Sequence, residues 1–223
     1  MELDQVLLVD KPAGITSFGV VARIRRVVQQ KAKDSGWVGK RYKVGHTGTL
    51  DPFATGLMII LTGKETKNAS KYSKLDKVYE TTIELGKTST TADSDGVISK
   101  VERISRPTIK KVETVLSSFI GEIEQTPPIY SAIKINGQRA YKLAYQGKSP
   151  KMPKRKVNIY DLGLLEYKYP FIKFRTHVSS GTYIRSLAED IGKKLGTGAY
   201  VTSLRRIKVG NFDIENATKL LLK

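Results

Sequence analysis

The stretch Gly45-His46-Thr47-Gly48-Thr49-Leu50-Asp51-Pro52-Phe53-Ala54-Thr55-Gly56 runs straight into Leu57-Met58-Ile59-Ile60-Leu61, and no other part of the chain constrains the fold as tightly. Five consecutive apolar residues of strand length read as a strand buried on both faces, which demands a sheet with cover on either side. The loop before it combines glycines, threonines, a histidine and a single carboxylate. Pro52 biases the residue ahead of it away from the α region toward an extended backbone. The Asp51 carboxylate is therefore aimed by its backbone, and it is the first candidate for chemistry.

With 223 residues and no cysteine, the chain has no disulfide, thiolate nucleophile or Cys-based zinc site. A compact fold of this size buries roughly 70–75% of the surface of its unfolded chain, enough to stand without such support. The start, Met1-Glu2-Leu3-Asp4-Gln5, lacks a signal-peptide pattern, and no apolar run approaches the ~20 residues of a membrane helix. The expectation is a cytoplasmic protein without membrane contact. The formal net charge of +18 is unevenly spread. Residues 23–43 hold eight bases and one acid, residues 134–175 hold eleven bases and two acids, and residues 44–133 are balanced. Basic blocks with tyrosines threaded through them suit a polyanion such as nucleic acid.

Along the chain, Leu7-Leu8-Val9 reads as a strand and Lys11-Pro12-Ala13-Gly14 as a turn. Thr16 or Ser17 caps a helix with Val20, Val21, Ile24, Val27 and Val28 as its apolar face. The glycine-bearing basic segment up to Lys43 reads as a mobile loop, and Glu65 to Tyr72 as a short helix. Val78 to Leu85 alternates as a strand, with Tyr79, Thr81, Ile83 and Leu85 on one face. A polar loop spans Thr88 to Gly96. Thr108 caps a helix with core positions Val112, Val115 and Leu116, and Gly121 to Thr126 is a strand broken by Pro127-Pro128.

Residues 129–156 interleave basic and aromatic side chains with little core periodicity, which fits either a flap that orders on RNA or an exposed hairpin. Strands follow at Val157 to Tyr167 and Phe171 to Val178. Thr182 caps a helix carrying Ile184, Leu187, Ile191 and Leu195, Val201 to Phe212 is a strand region, and Ile214 to Leu222 a last helix. Strands and helices without a strict βαβ rhythm predict an α+β fold in a single catalytic domain, 1–223.

Two histidines and no cysteine supply no metal-ligand pattern, no serine sits in a nucleophile elbow, and no phosphate-loop or dinucleotide fingerprint is present. Asp51 remains as nucleophile or base. An ionised carboxylate in a buried site needs a cation. Arg185 lies in the first turn of the helix after Thr182, where the macrodipole disfavours positive charge. It either awaits an anion there or pairs with Glu189 at i,i+4.

The Gly45–Gly56 stretch resembles the defining motif of the TruB family of tRNA pseudouridine synthases. Further blocks resemble the family in order: Lys11-Pro12-Ala13-Gly14-Ile15-Thr16-Ser17, Lys77-Val78-Tyr79 with Leu85-Gly86, Gln125 to Ala132, Gly181 to Leu187, and Ser203-Leu204-Arg205-Arg206. The resemblance covers essentially the whole chain. It implies the pseudouridine synthase fold, a mixed and mostly antiparallel central sheet flanked by helices and loops. It also implies isomerisation of the T-loop uridine (position 55) of tRNA to pseudouridine, without cofactor or metal, by a monomer that binds the T-arm stem-loop.

In that reading Asp51 attacks the nucleoside, with sugar and base both open as targets. Tyr79 stacks on the flipped uracil, and Arg185 pairs with Asp51. His46, Tyr183 and Leu204 shape the substrate site, and Asp93 is carried over as a pocket carboxylate. The alternatives are a tRNA-binding or folding factor of the same fold and a synthase acting on another RNA. The chain departs from the pattern in a longer 33–43 segment, in lacking an arginine near Gln146, and in ending where many members continue into a small C-terminal RNA-binding domain.

Overall fold

A computed structural model describes residues 3–102 and 104–220. In chain order the strands and helices are β1 (Val6–Lys11), α1 (Ser17–Asp34), β2 (Val44–His46), β3 (Thr55–Thr62), α2 (Ala69–Ser73), β4 (Lys77–Leu85), β5 (Lys87–Ser89) and β6 (Ile98–Lys100). They continue with α3 (Ile109–Ser117), β7 (Gly121–Gln125), β8 (Lys134–Ile135), β9 (Gln138–Arg139), α4 (Ala140–Tyr145), β10 (Arg155–Lys168), β11 (Phe171–Val178), α5 (Ile184–Leu195), β12 (Ala199–Val209), β13 (Phe212–Asp213) and β14 (Thr218–Lys219). Strand pairing is mixed and mostly antiparallel, as the α+β expectation requires. The chain divides into two compact units, Met1–Tyr79 with Leu204–Lys223 and Glu80–Ser203.

In the first unit β3 is the central strand, and Leu57 to Leu61 are buried on both faces. β1 runs antiparallel along one edge of it, from Val6 opposite Leu61 to Lys11 opposite Gly56. The other edge is shared. β2 takes the end at Ile60 to Thr62, and β12 takes the start, with Arg205 opposite Thr55 and Arg206 opposite Gly56. Residues between His46 and Thr55 therefore leave the sheet as a loop and return to it. One core cluster joins Leu57, Ile59, Leu61 and Val209 to Leu8, Tyr72, Leu75 and Phe212. Thr16 caps α1 by accepting from the Gly19 N–H at 2.9 Å. Only part of the expected apolar face is covered: Val20 and Val21 are buried, whereas Ile24, Val27 and Val28 line an open cleft of about 900 Å³ with Leu7 and Val9 of β1.

The second unit orders its strands β12-β4-β11-β10-β7. Tyr169-Pro170, a cis peptide, joins β10 to β11. α3, capped by Thr108, packs against β10 and α5 and buries Val112, Val115 and Leu116. Part of the expected polar loop is a hairpin, because β5 and β6 pair around it with Lys87 opposite Lys100.

Three expectations are corrected. The stretch from Glu65 begins as a 3-10 turn, Gly63–Asn68, before α2. Thr182 does not cap α5: its hydroxyl donates to the Ser179 carbonyl at 2.9 Å, and the N-cap is Tyr183 without a side-chain bond. No helix runs from Ile214, because a 3-10 turn at Ile214–Asn216 leads into β14, which pairs in parallel with β1. Leu221 and Leu222 lie outside the described residues.

Gly56 has φ +108° and stands where β12 passes the loop: a Cβ there would lie 2.3 Å from the Arg206 carbonyl oxygen. Both conformation and contact exclude a side chain. Gly56→Ala should cost at least about 2 kcal/mol, read as a fall in Tm of several degrees by thermal unfolding, and an unchanged Tm would contradict the pairing of Arg206 with Gly56.

Candidate active site

The loop carrying Asp51 is held at almost every turn by groups from elsewhere in its own unit. The Thr47 N–H donates to the Ile59 carbonyl at 3.2 Å as β2 leaves β3. Ser17 Oγ accepts from the Leu50 N–H and donates to the Leu50 carbonyl, each at 2.8 Å. The Pro52 carbonyl accepts from the Gly14 N–H at 2.9 Å and from Lys11 Nζ at 3.1 Å. Arg206 bridges the two ends, its Nε donating to the Leu57 carbonyl at 2.7 Å and its Nη2 to the Gly48 carbonyl at 3.1 Å. Leu50 and Ala54 plug the loop into the core. Asp51, between these anchors, is half-buried. A carboxylate on so constrained a backbone is already ordered, with no further entropy to lose on meeting a reactant.

Two of the clamps, Lys11 and Arg206, are buried cations. Lys11 is completely buried, and its three ammonium hydrogens meet the Pro12, Ile15 and Pro52 carbonyls at 3.0, 2.8 and 3.1 Å. Burial pushes its pKa down to about 8, against the attraction of Asp51 and with the help of Arg206. Lys77, at the start of β4, is likewise lowered to about 8 by burial and by Arg206, and donates to the Ser73 and Leu75 carbonyls. His46, half-buried beside the same guanidinium, has its pKa lowered by burial first and Arg206 second, so it is neutral near pH 7. Tyr79 and Leu204 are both buried in this unit.

The remaining expected residues belong to the second unit. Arg185 is 4% exposed, in the first turn of α5 as expected. Its guanidinium contacts Asp93 Oδ2 at 3.1 Å and the Thr91 and Tyr130 carbonyls at 3.0 and 2.8 Å. Asp93, expected to line a substrate pocket, is 3% exposed and directs its other oxygen to the Thr91 hydroxyl and the Asp95 N–H. That carboxylate orients Arg185. Tyr183, half-buried, is pinned by the amide of Gln125, which accepts from its N–H at 2.8 Å and donates to its carbonyl at 3.0 Å. The guanidinium of Arg155 lies 5.7 Å from the Tyr183 ring centroid.

Lys11, Gln125 and Arg206 have no role predicted from the sequence, and Ser17 is expected there only as a possible helix cap, although all four lie in its motif blocks. Their contacts go to main-chain atoms, which leave no pattern in a sequence. Among the described residues no cluster of three or more His, Asp or Glu side chains is placed to hold a metal, and no helix is long and apolar enough to cross a membrane.

Comparison with known proteins places the chain in a family. The family model described as TruB family pseudouridylate synthase (N terminal domain) matches residues 36–184, and tRNA pseudouridylate synthase B C-terminal domain matches residues 185–221. The tRNA pseudouridine synthase B of Clostridium acetobutylicum is 43% identical over 95% of this chain and 69% of its own. That of Opitutus terrae is 41% identical over 98% of this chain and 86% of its own. A solved Cbf5-Nop10-Gar1 complex contains a chain that superposes with TM-score 0.72 at 30% identity over 96% of this chain; the present chain spans 52% of that one. The fold is thus that of a pseudouridine synthase. The chain belongs to the TruB family of tRNA pseudouridine synthases, isomerases that modify tRNA.

Lys11 gives a pH dependence with a definite sign. Its folded-state pKa, about 8, lies below the ordinary 10.5, so between those values the folded chain binds fewer protons than the unfolded one. Stability from this group therefore rises with pH across that window. The hold on the loop weakens over the same range, because a neutral amine has two hydrogens for three carbonyls. Turnover should fall on the alkaline side with a midpoint near 8 while Lys11 adds to thermal stability. Lys11→Met should give a lower rate without that limb; a limb that survives in Lys11→Met, measured beside Lys77→Met, would rule Lys11 out as its source.

Proposed function

We propose that this chain converts the T-loop uridine of tRNA to pseudouridine, with Asp51 as the nucleophile and no cofactor. The observation that carries the reading is the rigid loop, which presents one half-buried carboxylate between clamps from Lys11, Ser17 and Arg206. The reaction needs neither oxidant nor reductant: the bond from ribose C1′ to N1 breaks, one from C1′ to C5 forms, the C5 proton leaves and N1 gains a proton. Asp51 either adds to the sugar, and is displaced from C1′ as the bond to C5 forms, or adds to the base and leaves it after that bond has formed. A uridine must leave its stack to be reached, and stacking on Tyr79 replaces what it loses. Arg185, fixed by Asp93 and two carbonyls, is the counter-cation that keeps Asp51 ionised, and His46, Tyr183 and Leu204 shape the pocket.

The protein acts as a cytoplasmic monomer, with the whole chain forming one catalytic domain. Its second RNA contact is the 129–156 segment, which holds two short strands and α4. There Tyr145 packs edge-on to Tyr130 and Tyr141 with most of its surface exposed, next to Lys142 and Lys148.

The test is incubation with an unmodified T-arm stem-loop and mapping of pseudouridine. Asp51→Asn is expected to abolish product while binding stays nearly intact. Full turnover by Asp51→Asn would refute the assigned nucleophile. A wild type that binds and never converts would favour a tRNA-binding factor.

A further inference from the structure

The longer basic segment before β2 and the polar side of α1 take no part in the chemistry of Asp51. Phe18, Ala22, Arg25 and Gln29 follow one another at i, i+4, i+7 and i+11, a single stripe along α1. Phe18 is 63% exposed, unusual for a phenylalanine, and the Arg25 guanidinium lies 5.7 Å from its ring centroid. Arg25 Nη2 donates to the Val44 carbonyl at 2.9 Å, and Gln29 Oε1 accepts from the Tyr42 N–H at 2.7 Å. The stripe is therefore fastened to the segment that leads into β2. Trp37, edge-on to Tyr42 at 5.4 Å, steadies that segment further.

Arg25, Arg41 and Lys43 line a hollow of about 380 Å³ with Tyr42, Val44, Gly45 and Thr66. No carboxylate lines it, and none forms an ion pair with those three cations among the described residues. Asp4, the acid that bonds Tyr42, is engaged by the Tyr42 hydroxyl at 2.6 Å and the Lys64 N–H at 3.0 Å. Arg41 sits close enough to lower the pKa of Arg25, after burial as the larger cause. Cations gathered without a counter-charge cost free energy until an anion joins them.

Both ends of this feature lead to the Asp51 loop. Ser17, next to Phe18, holds Leu50, and Lys43, Val44 and Gly45 run directly into His46. Phe18 and Arg25 stand about 10 Å apart along the helix, from seven residues at the helical rise. We propose that this strip is an RNA-binding track, in which an unpaired base stacks on Phe18 and a backbone phosphate sits between Arg25, Arg41 and Lys43. An aromatic face with an adjoining cationic groove is how single-stranded nucleic acid is held without sequence readout. Arg25, over the Phe18 ring, extends the stacking surface. The proposal rests on the reading of this chain as a tRNA-modifying enzyme and names where the strand beside the target is gripped.

The experiment measures binding of an unmodified tRNA transcript across a salt series, and initial rates of pseudouridine formation, for wild type, Phe18→Ala, Phe18→Trp and the double variant Arg41→Gln/Lys43→Gln. The double variant should bind more weakly, with a slope of log affinity against log salt shallower by about 0.7 to 0.9 for one lost phosphate, the loss falling on KM. Phe18→Ala should weaken binding at least about fivefold at fixed salt with the slope unchanged, and Phe18→Trp should restore it. Thermal unfolding of each variant, expected at the wild-type Tm, checks that these exposed substitutions leave the fold intact. Wild-type affinity and slope in the double variant, or equal binding by Phe18→Ala and wild type, would overturn the track while conversion by wild type leaves the enzymatic reading in place. Absence of conversion by wild type would count against that reading, and the salt slopes would still decide the track.

Discussion

Arg206 holds two carbonyl oxygens, those of Gly48 and Leu57, that bracket the segment presenting Asp51. Two contacts of the strand that carries it put this guanidinium there. β12 passes against Gly56 with room for a hydrogen and nothing larger, which brings the Arg206 side chain under the loop. Arg205, one residue earlier and on the opposite face, is anchored by a two-pronged ion pair to Asp10 of β1 at 2.8 and 3.1 Å. The pair of arginines thus fixes the strand on both of its faces, and the loop inherits its position from the sheet.

A cation placed this way has electrostatic effects beyond its two hydrogen bonds. A buried guanidinium does not lose its proton, so it acts as a permanent charge for its neighbours. Burial is the main force pushing Lys11, Lys77 and His46 toward their neutral forms, and the field of Arg206 adds to it at each. Asp51 opposes this at Lys11 and Asp76 at Lys77. Buried charge is costly unless hydrogen-bonded and compensated. In this unit the hydrogen bonds come from main-chain carbonyls and compensation comes in part from the carboxylate proposed to do the chemistry.

Much of this could be read from the residues in order. The apolar run Leu57 to Leu61 gave away the central strand, the alternation around Tyr79 gave β4, and Thr16 and Thr108 marked two helix starts, because burial periodicity and capping are local signals. What escaped had non-local causes. α5 begins without a capping side chain, since Gln125, far away in sequence, supplies the contacts to Tyr183. The segment after Ile214 has helical periodicity, yet its backbone groups are claimed by β1, and pairing in the sheet overrides local preference. Among candidate site residues, Asp51 and Arg185 stood out through proline, glycine and helix-end chemistry. Lys11 and Arg206 did not, because a lysine or arginine serving a carbonyl looks in sequence like any surface base.

The clamps on the Asp51 loop share one property: they grip the main chain. Ser17, Gly14, Lys11 and Arg206 address the amides and carbonyls of Gly48, Leu50, Pro52 and Leu57, and none of their bonds is to a side chain of the loop. Thr49 is exposed and Phe53 half-buried, and the clamps use neither side chain. The geometry of the Asp51 carboxylate is thereby separated from the identity of the residues around it. Such a loop can alter the surface it offers to RNA, one side chain at a time, while its carboxylate stays where the sheet has put it.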